Sequence, residues 1–84
     1  MAYSITYKKS VRKDLSRISK NDARQILGKI EKDLSQRADA YPMLKGKFSG
    51  LRKLRVGDYR VIFAIFGQDV LVLRIGHRRD VYHS

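Results

Sequence analysis

Hydrophobic and polar residues alternate near the N-terminus of the chain. Tyr3, Ile5 and Tyr7 are separated by small polar residues. Because residues two apart point to the same face of a strand, this alternation is typical of a strand with one buried face. It predicts a first strand over residues 2–7.

The apolar positions then change to helical spacing. They are Val11, Leu15 and Ile18, followed by Ala23, Leu27, Ile30 and Leu34. Residues three and four apart share one face of a helix, so each series predicts an amphipathic helix. Ser19 stands three residues before Asp22, as in a capping box. We therefore predict a helical hairpin with a break near residues 19–21.

The second half of the chain is rich in β-branched and aromatic residues. Residues 38–50 contain the single proline and two of the six glycines, which is typical of a loop. The runs LRKLRV, YRVIFAIF and VLVLRI follow, separated by GD and GQD, and predict a three-stranded antiparallel meander. The expected fold class is α+β: one strand, a helical hairpin, then the meander, with the helices on one face of the sheet. We expect one domain over residues 1–84.

Composition excludes several kinds of site. The 84 residues contain no cysteine, which excludes disulfides and thiolate metal sites, and no apolar run approaches the roughly 20 residues of a membrane span. Without a signal peptide pattern, we expect a soluble, cytoplasmic protein. The sequence has no HExxH, Walker loop or Ser/His/Asp arrangement, and two isolated histidines are a poor metal site. We therefore expect no metal and no cofactor.

The charge of the chain indicates a polyanionic partner. Nineteen Lys and Arg residues stand against eight Asp and Glu, giving a net charge of +11. Such a field attracts nucleic acid at long range. The alternatives are a solvated basic surface without a partner and, in third place, a membrane surface, which would need aromatic residues on the apolar side of a basic helix.

Two basic stretches are expected to meet at one end of the sheet. In the first strand of the meander Lys53 and Arg55 point away from Leu54, and the GD turn brings Arg60 beside them. The last strand returns to the same end and continues into residues 77–79. Arginines here would snorkel to solvent at the sheet edge or direct their guanidinium groups at a phosphate.

These residues contain the groups needed for metal-free RNA cleavage. The 2′-oxygen can attack the neighbouring phosphorus if a proton acceptor, cations and a proton donor are present. The candidates for proton transfer are His77, Tyr82, His83 and Lys53, and the candidates for charge stabilisation are Arg55, Arg60, Arg78 and Arg79. The alternative is a solvated basic C-terminal segment, so the residues alone favour nucleic-acid binding and leave catalysis open.

The stretches VGDYRVIF at 56–63 and GHRRDVY at 76–82, with LKG at 44–46 and the predicted element order, resemble the RelE-like toxins of the RelE/ParE toxin–antitoxin superfamily. The resemblance implies a ribosome-dependent mRNA interferase, a metal-free endoribonuclease that cleaves mRNA in the ribosomal A site. Its implied partners are a 70S-type ribosome, mRNA and a cognate RelB-like antitoxin, with no membrane and no small-molecule cofactor.

The resemblance also implies roles for individual residues. Arg60 and Arg78 would contact the scissile phosphate, and Tyr82 would activate the 2′-hydroxyl. Lys53 would balance charge, and His77 would share the proton transfer. The residues expected to bind RNA are Lys45, Lys47, Arg52, Arg55 and Arg79.

Two further functions fit the same fold. A ParE-like protein would inhibit DNA gyrase by binding, without cutting RNA. Because ParE-like chains tend to lack the terminal basic and tyrosine set, GHRRDVY favours the RelE-like function. The third possibility is a catalytically inactive module that binds RNA or the ribosome.

Overall fold

The computed structural model describes residues 3–46 and 50–77. The elements are β1 (Ser4–Tyr7), α1 (Lys9–Ser16), α2 (Lys20–Lys29), a π-helical turn (Ile30–Leu34), α3 (Ser35–Arg37), a 3₁₀-helix (Ala38–Ala40), β2 (Arg52–Val56), β3 (Tyr59–Phe66) and β4 (Asp69–His77). The predicted order of one strand, a helical hairpin and three strands is confirmed.

The four strands form one sheet in the order β1-β4-β3-β2. β2, β3 and β4 are the predicted antiparallel meander. β1 pairs in parallel with β4, from Ser4 opposite Asp69 to Tyr7 opposite Val72. The alternation in β1 identified a strand but not its neighbour, because a period of two reports which face is buried and nothing about pairing.

Both turns of the meander contain glycine in the left-handed region of φ. Gly57 and Gly67 have φ of 59° and 61°, and each is the first residue of a two-residue connection. No non-glycine residue of the described ranges has a positive φ. This is the type II′ arrangement, whose twist matches that of the adjoining strands. The GD and GQD signals therefore correctly located both hairpins.

The core lies between the helices and one face of the sheet. The helices contribute Val11, Ile26, Ile30 and Leu34, and the sheet contributes Leu54, Val61, Phe63, Val70, Val72 and Ile75, all at most 1% exposed. The ring of Tyr41 closes the core edge-on against Phe63, with 6.3 Å between centroids. The prediction that the helices cover one face is thus confirmed. Ile26, absent from the predicted apolar series, is fully buried, whereas Leu27 only packs at its margin.

The break in the helical hairpin is where the capping signal predicted it. The Ser19 side chain accepts a hydrogen bond from the Asp22 backbone N–H at 3.2 Å, and α2 begins at Lys20. After the π-helical turn, the Ser35 hydroxyl donates to the Glu31 carbonyl at 2.6 Å, while the Ser35 carbonyl accepts from the Tyr3 N–H at 2.9 Å. The end of the helical half is therefore tied to β1. No helix within residues 3–46 and 50–77 is long and apolar enough to cross a membrane.

Candidate nucleic-acid interface

The strand register brings Arg60 and His77 to the same end of the sheet, with their side chains on opposite faces. Arg60 of β3 lies opposite Arg55 of β2 on one side and opposite Gly76 of β4 on the other. The next pair along is Tyr59 with His77. The predicted convergence of the two basic stretches is therefore confirmed as far as His77. Arg78, Arg79, Tyr82 and His83, which continue the second stretch, lie outside the described residues.

Three cations share the sheet face that points away from the helices. Leu54 is buried in the core, so Lys53 and Arg55 on either side of it point to the opposite face. Residues directly opposite in an antiparallel pair lie on the same face, which places Arg60 beside Arg55. Ile62, opposite Lys53 and only 4% exposed, forms an apolar floor between them. A phosphate on this face would contact positively charged side chains that surround a buried apolar residue.

The inner part of the Arg60 side chain is buried. Its Nε atom is buried, and the residue as a whole is half-buried between two strands. Arg55 is exposed and donates from Nε to the Gly57 carbonyl at 3.4 Å. Arg60 is therefore the more buried of the two arginines, and burial near the guanidinium suits a group that must be preorganised.

Tyr59 supports the histidine, a contact that the sequence analysis did not identify. The two rings meet edge to face, with 5.9 Å between centroids and 81° between planes. Desolvation and the nearby Asp22 carboxylate raise the pKa of Tyr59, with Asp58 adding to the effect. Tyr59 thus remains a neutral phenol near neutral pH and acts as a wall for the half-buried His77 rather than as a base.

The remaining predicted RNA-binding residues are spread more widely. Arg52 is on the first strand of the meander, but its Nη1 donates to the carbonyls of Asp39 and Tyr41 at 3.1 and 2.7 Å. This guanidinium group anchors the preceding loop, so its RNA-binding role stays a prediction. Lys45 is exposed in the loop that precedes β2, next to the start of that strand, whereas Arg60 is paired near the end of the strand. Lys47 lies outside the described residues.

An ion pair holds the last strand next to the candidate site. The Asp14 carboxylate of α1 accepts from Arg74 Nε at 3.2 Å and from the Ile75 backbone N–H at 3.0 Å, both at Oδ2. With Tyr59 and His77, these residues line a cleft of about 160 Å³ on the helical side of the strand end. Across the described ranges, no three His, Cys, Asp or Glu residues are grouped so as to hold a metal ion.

A larger groove runs between β1, α1 and α2, away from the cations of the sheet. Its volume is about 810 Å³. The lining residues are Tyr7, Val11, Leu15 and Leu27, with Lys8, Lys9, Arg12 and Glu31 around them. The Tyr7 hydroxyl donates to Glu31 Oε2 at 3.4 Å, and burial together with this carboxylate raises the pKa of Tyr7 to about 12. The groove therefore combines an apolar floor with a mainly cationic rim.

Comparison with protein families gives one match that spans almost the whole chain. The family is described as the ParE toxin of the type II toxin–antitoxin system, parDE, and its model matches residues 5–82. A comparison with curated proteins found no match.

Solved structures of toxin–antitoxin proteins have the same fold. The RelBE toxin–antitoxin complex from Mycobacterium tuberculosis is similar with a TM-score of 0.85 at 23% identity, over 93% of this chain and 100% of that one. The archaeal RelE–RelB complex from Pyrococcus horikoshii gives 0.68 at 27% identity, over 96% and 100%. The chromosomal ParDE system from P. aeruginosa gives 0.72 at 19% identity, over 90% and 96%. Both branches of one superfamily are therefore among the similar structures.

Proposed function

The chain belongs to the ParE toxin family of type II toxin–antitoxin systems, within a RelE/ParE superfamily that contains both nuclease and gyrase-binding toxins, and we propose that it acts as a ribosome-dependent mRNA interferase. It is a metal-free endoribonuclease that cleaves mRNA in the ribosomal A site, with residues 1–84 as a single toxin domain in the cytoplasm. The observation that carries this proposal is the position of Arg60, paired with Arg55 and Gly76 and one residue from the Tyr59–His77 pair. A partly buried cation and a proton-transfer group therefore lie at the same end of the sheet, with Arg60 on the face away from the helices and His77 on the helical face.

The proposed reaction is transesterification by the 2′-oxygen. A base takes the 2′-hydroxyl proton, the 2′-oxygen bonds to phosphorus, and the bond from phosphorus to the 5′-oxygen breaks as that oxygen receives a proton. Arg60, with Arg78, stabilises the charge that develops on the phosphorane. Tyr82 and His77 carry the proton transfers. Lys53 adds charge on the same face as Arg60 and is a further candidate for proton transfer.

Cleavage of mRNA on the ribosome is the direct test. Expression without antitoxin should arrest translation, and primer extension on cellular mRNA should show cuts inside codons being read. Purified protein should cleave mRNA in programmed ribosomes and leave naked RNA largely intact. Growth arrest with intact mRNA would contradict the proposal.

Inhibition of DNA gyrase is the second candidate. It is favoured by the match to the ParE toxin family and by the similarity to the ParDE system from P. aeruginosa. This function needs a binding surface but no acid or base. A supercoiling assay with purified gyrase distinguishes the two, because an mRNA interferase should leave supercoiling unchanged at concentrations that stop translation.

The proposed partner is an acidic, RelB-like antitoxin. Solved relatives are complexes of RelE with RelB, and this chain has an apolar groove rimmed by Lys8, Lys9 and Arg12 together with a net charge of +11. An amphipathic acidic helix suits that combination. The complex should withstand about 0.5 M salt, where screening leaves a Debye length of only a few Å, because apolar burial also contributes. Release by salt alone would contradict the apolar part of this interface.

A further inference from the structure

The outer edge of β4 loses its strand partner before the strand ends. β1 pairs with β4 from Asp69 to Val72, and the Lys8 N–H then donates to the Val72 carbonyl at 2.9 Å. β4 continues to His77. Within residues 3–46 and 50–77, the final residues of β4 have a strand, β3, on one side only, so the buried backbone groups on the other side need another partner.

Asp14 supplies that partner from a helix. α1 follows β1 after a single residue and packs against β4. From the second turn of α1, Asp14 Oδ2 accepts the Ile75 N–H at 3.0 Å, where a neighbouring strand would have offered a carbonyl. The Asp14 side chain is only 10% exposed. A carboxylate acceptor makes a shorter and stronger hydrogen bond than a neutral one.

The Asp14 carboxylate binds β4 directly after an irregularity in the strand. The register between β3 and β4 shifts between Ile62, opposite Arg74, and Phe63, opposite Val72, which leaves Leu73 as an extra residue. A bulge of this kind bends and twists its strand. The two donors to Asp14, Arg74 Nε and Ile75 N–H, follow the extra residue directly. The direction of β4 after the bulge is thus fixed from α1.

We propose that Asp14 is a positioning residue of the candidate nuclease site: by holding Arg74 and Ile75, it sets the end of β4 so that Gly76 lies opposite Arg60 and His77 lies opposite Tyr59. The catalytic consequence rests on the proposed function, whereas the geometric part does not. Since Arg74 is paired with Asp14, its charge is compensated, and we assign it to holding the strand rather than to the phosphate.

The geometric part is tested on the free chain by NMR. Asp14→Ala keeps helix propensity and removes the acceptor. Asp39→Ala is the matched control, since Asp39 is an exposed aspartate of the 3₁₀-helix. We expect Asp14→Ala to speed exchange of the Ile75 amide by about tenfold or more and to remove the cross-peaks between the Tyr59 and His77 rings. A protected amide with the ring contact intact would overturn the inference.

The catalytic part is tested by separating rate from binding. Single-turnover cleavage at saturating ribosomes should fall by about 10-fold to 10²-fold in Asp14→Ala, because small displacements of reacting groups are amplified in the rate. Ribosome affinity should stay within about twofold, since the surface cations are unchanged. Asp14→Asn keeps an oxygen acceptor and should recover most of the rate.

The other possible results of these experiments also decide whether Asp14 positions the strand end. A rate in Asp14→Ala that falls only as the folded fraction falls, or an Asp14→Asn variant as slow as Asp14→Ala, would overturn the positioning role. If Asp14→Ala does not fold, Arg74→Met removes one donor and carries the same comparison, with a smaller expected loss of about threefold to tenfold. If the parent chain does not cut RNA on ribosomes, the proposed function fails, and the NMR comparison still decides whether Asp14 sets the strand end.

Discussion

Arg60→Ala is the substitution that tests the proposed chemistry most directly. Arg60 lies in the middle strand of the meander, and its backbone is paired with β2 and β4. Alanine keeps both backbone pairings and leaves the core face unchanged, because the side chain projects from the opposite face. The folded structure should therefore persist, and any change in activity reports the guanidinium group.

The two effects of this substitution differ in size. If Arg60 stabilises charge that develops only in the transition state, its removal should slow cleavage by about 10² to 10³-fold, or about 2.7–4 kcal/mol, as for one oxyanion donor. Binding depends on many phosphate contacts, and the net charge falls only from +11 to +10 after loss of one positive charge. We expect the ribosome affinity to fall by less than about tenfold and the salt dependence to lose the slope of about one contact.

The assay is single-turnover cleavage in a reconstituted translation system, with ribosome binding measured by co-sedimentation. Arg24→Ala is the matched control, because Arg24 is an exposed arginine of α2. Arg60→Lys keeps the charge but loses the planar fork, so its rate should lie between those of the parent and Arg60→Ala. Equal losses of rate and affinity in Arg60→Ala would refute the transition-state role, and unchanged cleavage would remove Arg60 from the site.

Tyr82→Phe should slow cleavage by about 10² to 10⁴-fold if the hydroxyl transfers a proton; parental activity in this variant, with loss in His77→Ala, would assign the proton to the imidazole. Leu27→Lys, which places a charge in the α1–α2 groove, should weaken antitoxin binding in calorimetry by about tenfold or more, and unchanged affinity would move the docking site elsewhere. Burial and Glu31 raise the pKa of Tyr7 from the ordinary 10.0 to about 12, so folding favours the neutral phenol. The stability that this shift contributes is complete below the ordinary pKa and is lost as the pH rises through about 12. In an ultraviolet titration of the folded protein, Tyr7→Phe should remove a late-titrating component, and its persistence would contradict the assignment.

The order of elements was predictable because local patterns report local structure. Alternation in residues 2–7, helical spacing from Val11, and two glycine turns each depend on neighbours only a few positions away. The presence of Arg60 and His77 at one end of the sheet was also predictable, since antiparallel strands joined by short turns must bring their ends together. In both cases the regular geometry of strands, helices and short turns determines the arrangement.

The contacts that sequence reasoning missed depend on tertiary packing. β1 could have paired with either edge of the meander, and its alternation fits both. Ile26 and Leu27 stand four and three residues before the buried Ile30, and both spacings fit one helix face, so the apolar series did not reveal that Ile26 is the residue fully enclosed. The sequence indicates only that Tyr59 is a strand residue after a turn. Its ring contact with His77 follows from the pairing of β3 with β4.

Asp14 shows why a residue of this kind escapes a sequence pattern. It stands among lysines and arginines on a helix, where a carboxylate most simply reads as part of a solvated face, and its partners lie 60 and 61 residues away. Yet the topology creates the need for it: under the proposed function, a site at the end of an edge-exposed strand must be fixed in place and still remain open to RNA. A further strand beside the end of β4 would fix it but cover the approach. A single carboxylate from α1 holds the same backbone N–H without placing another strand at this edge.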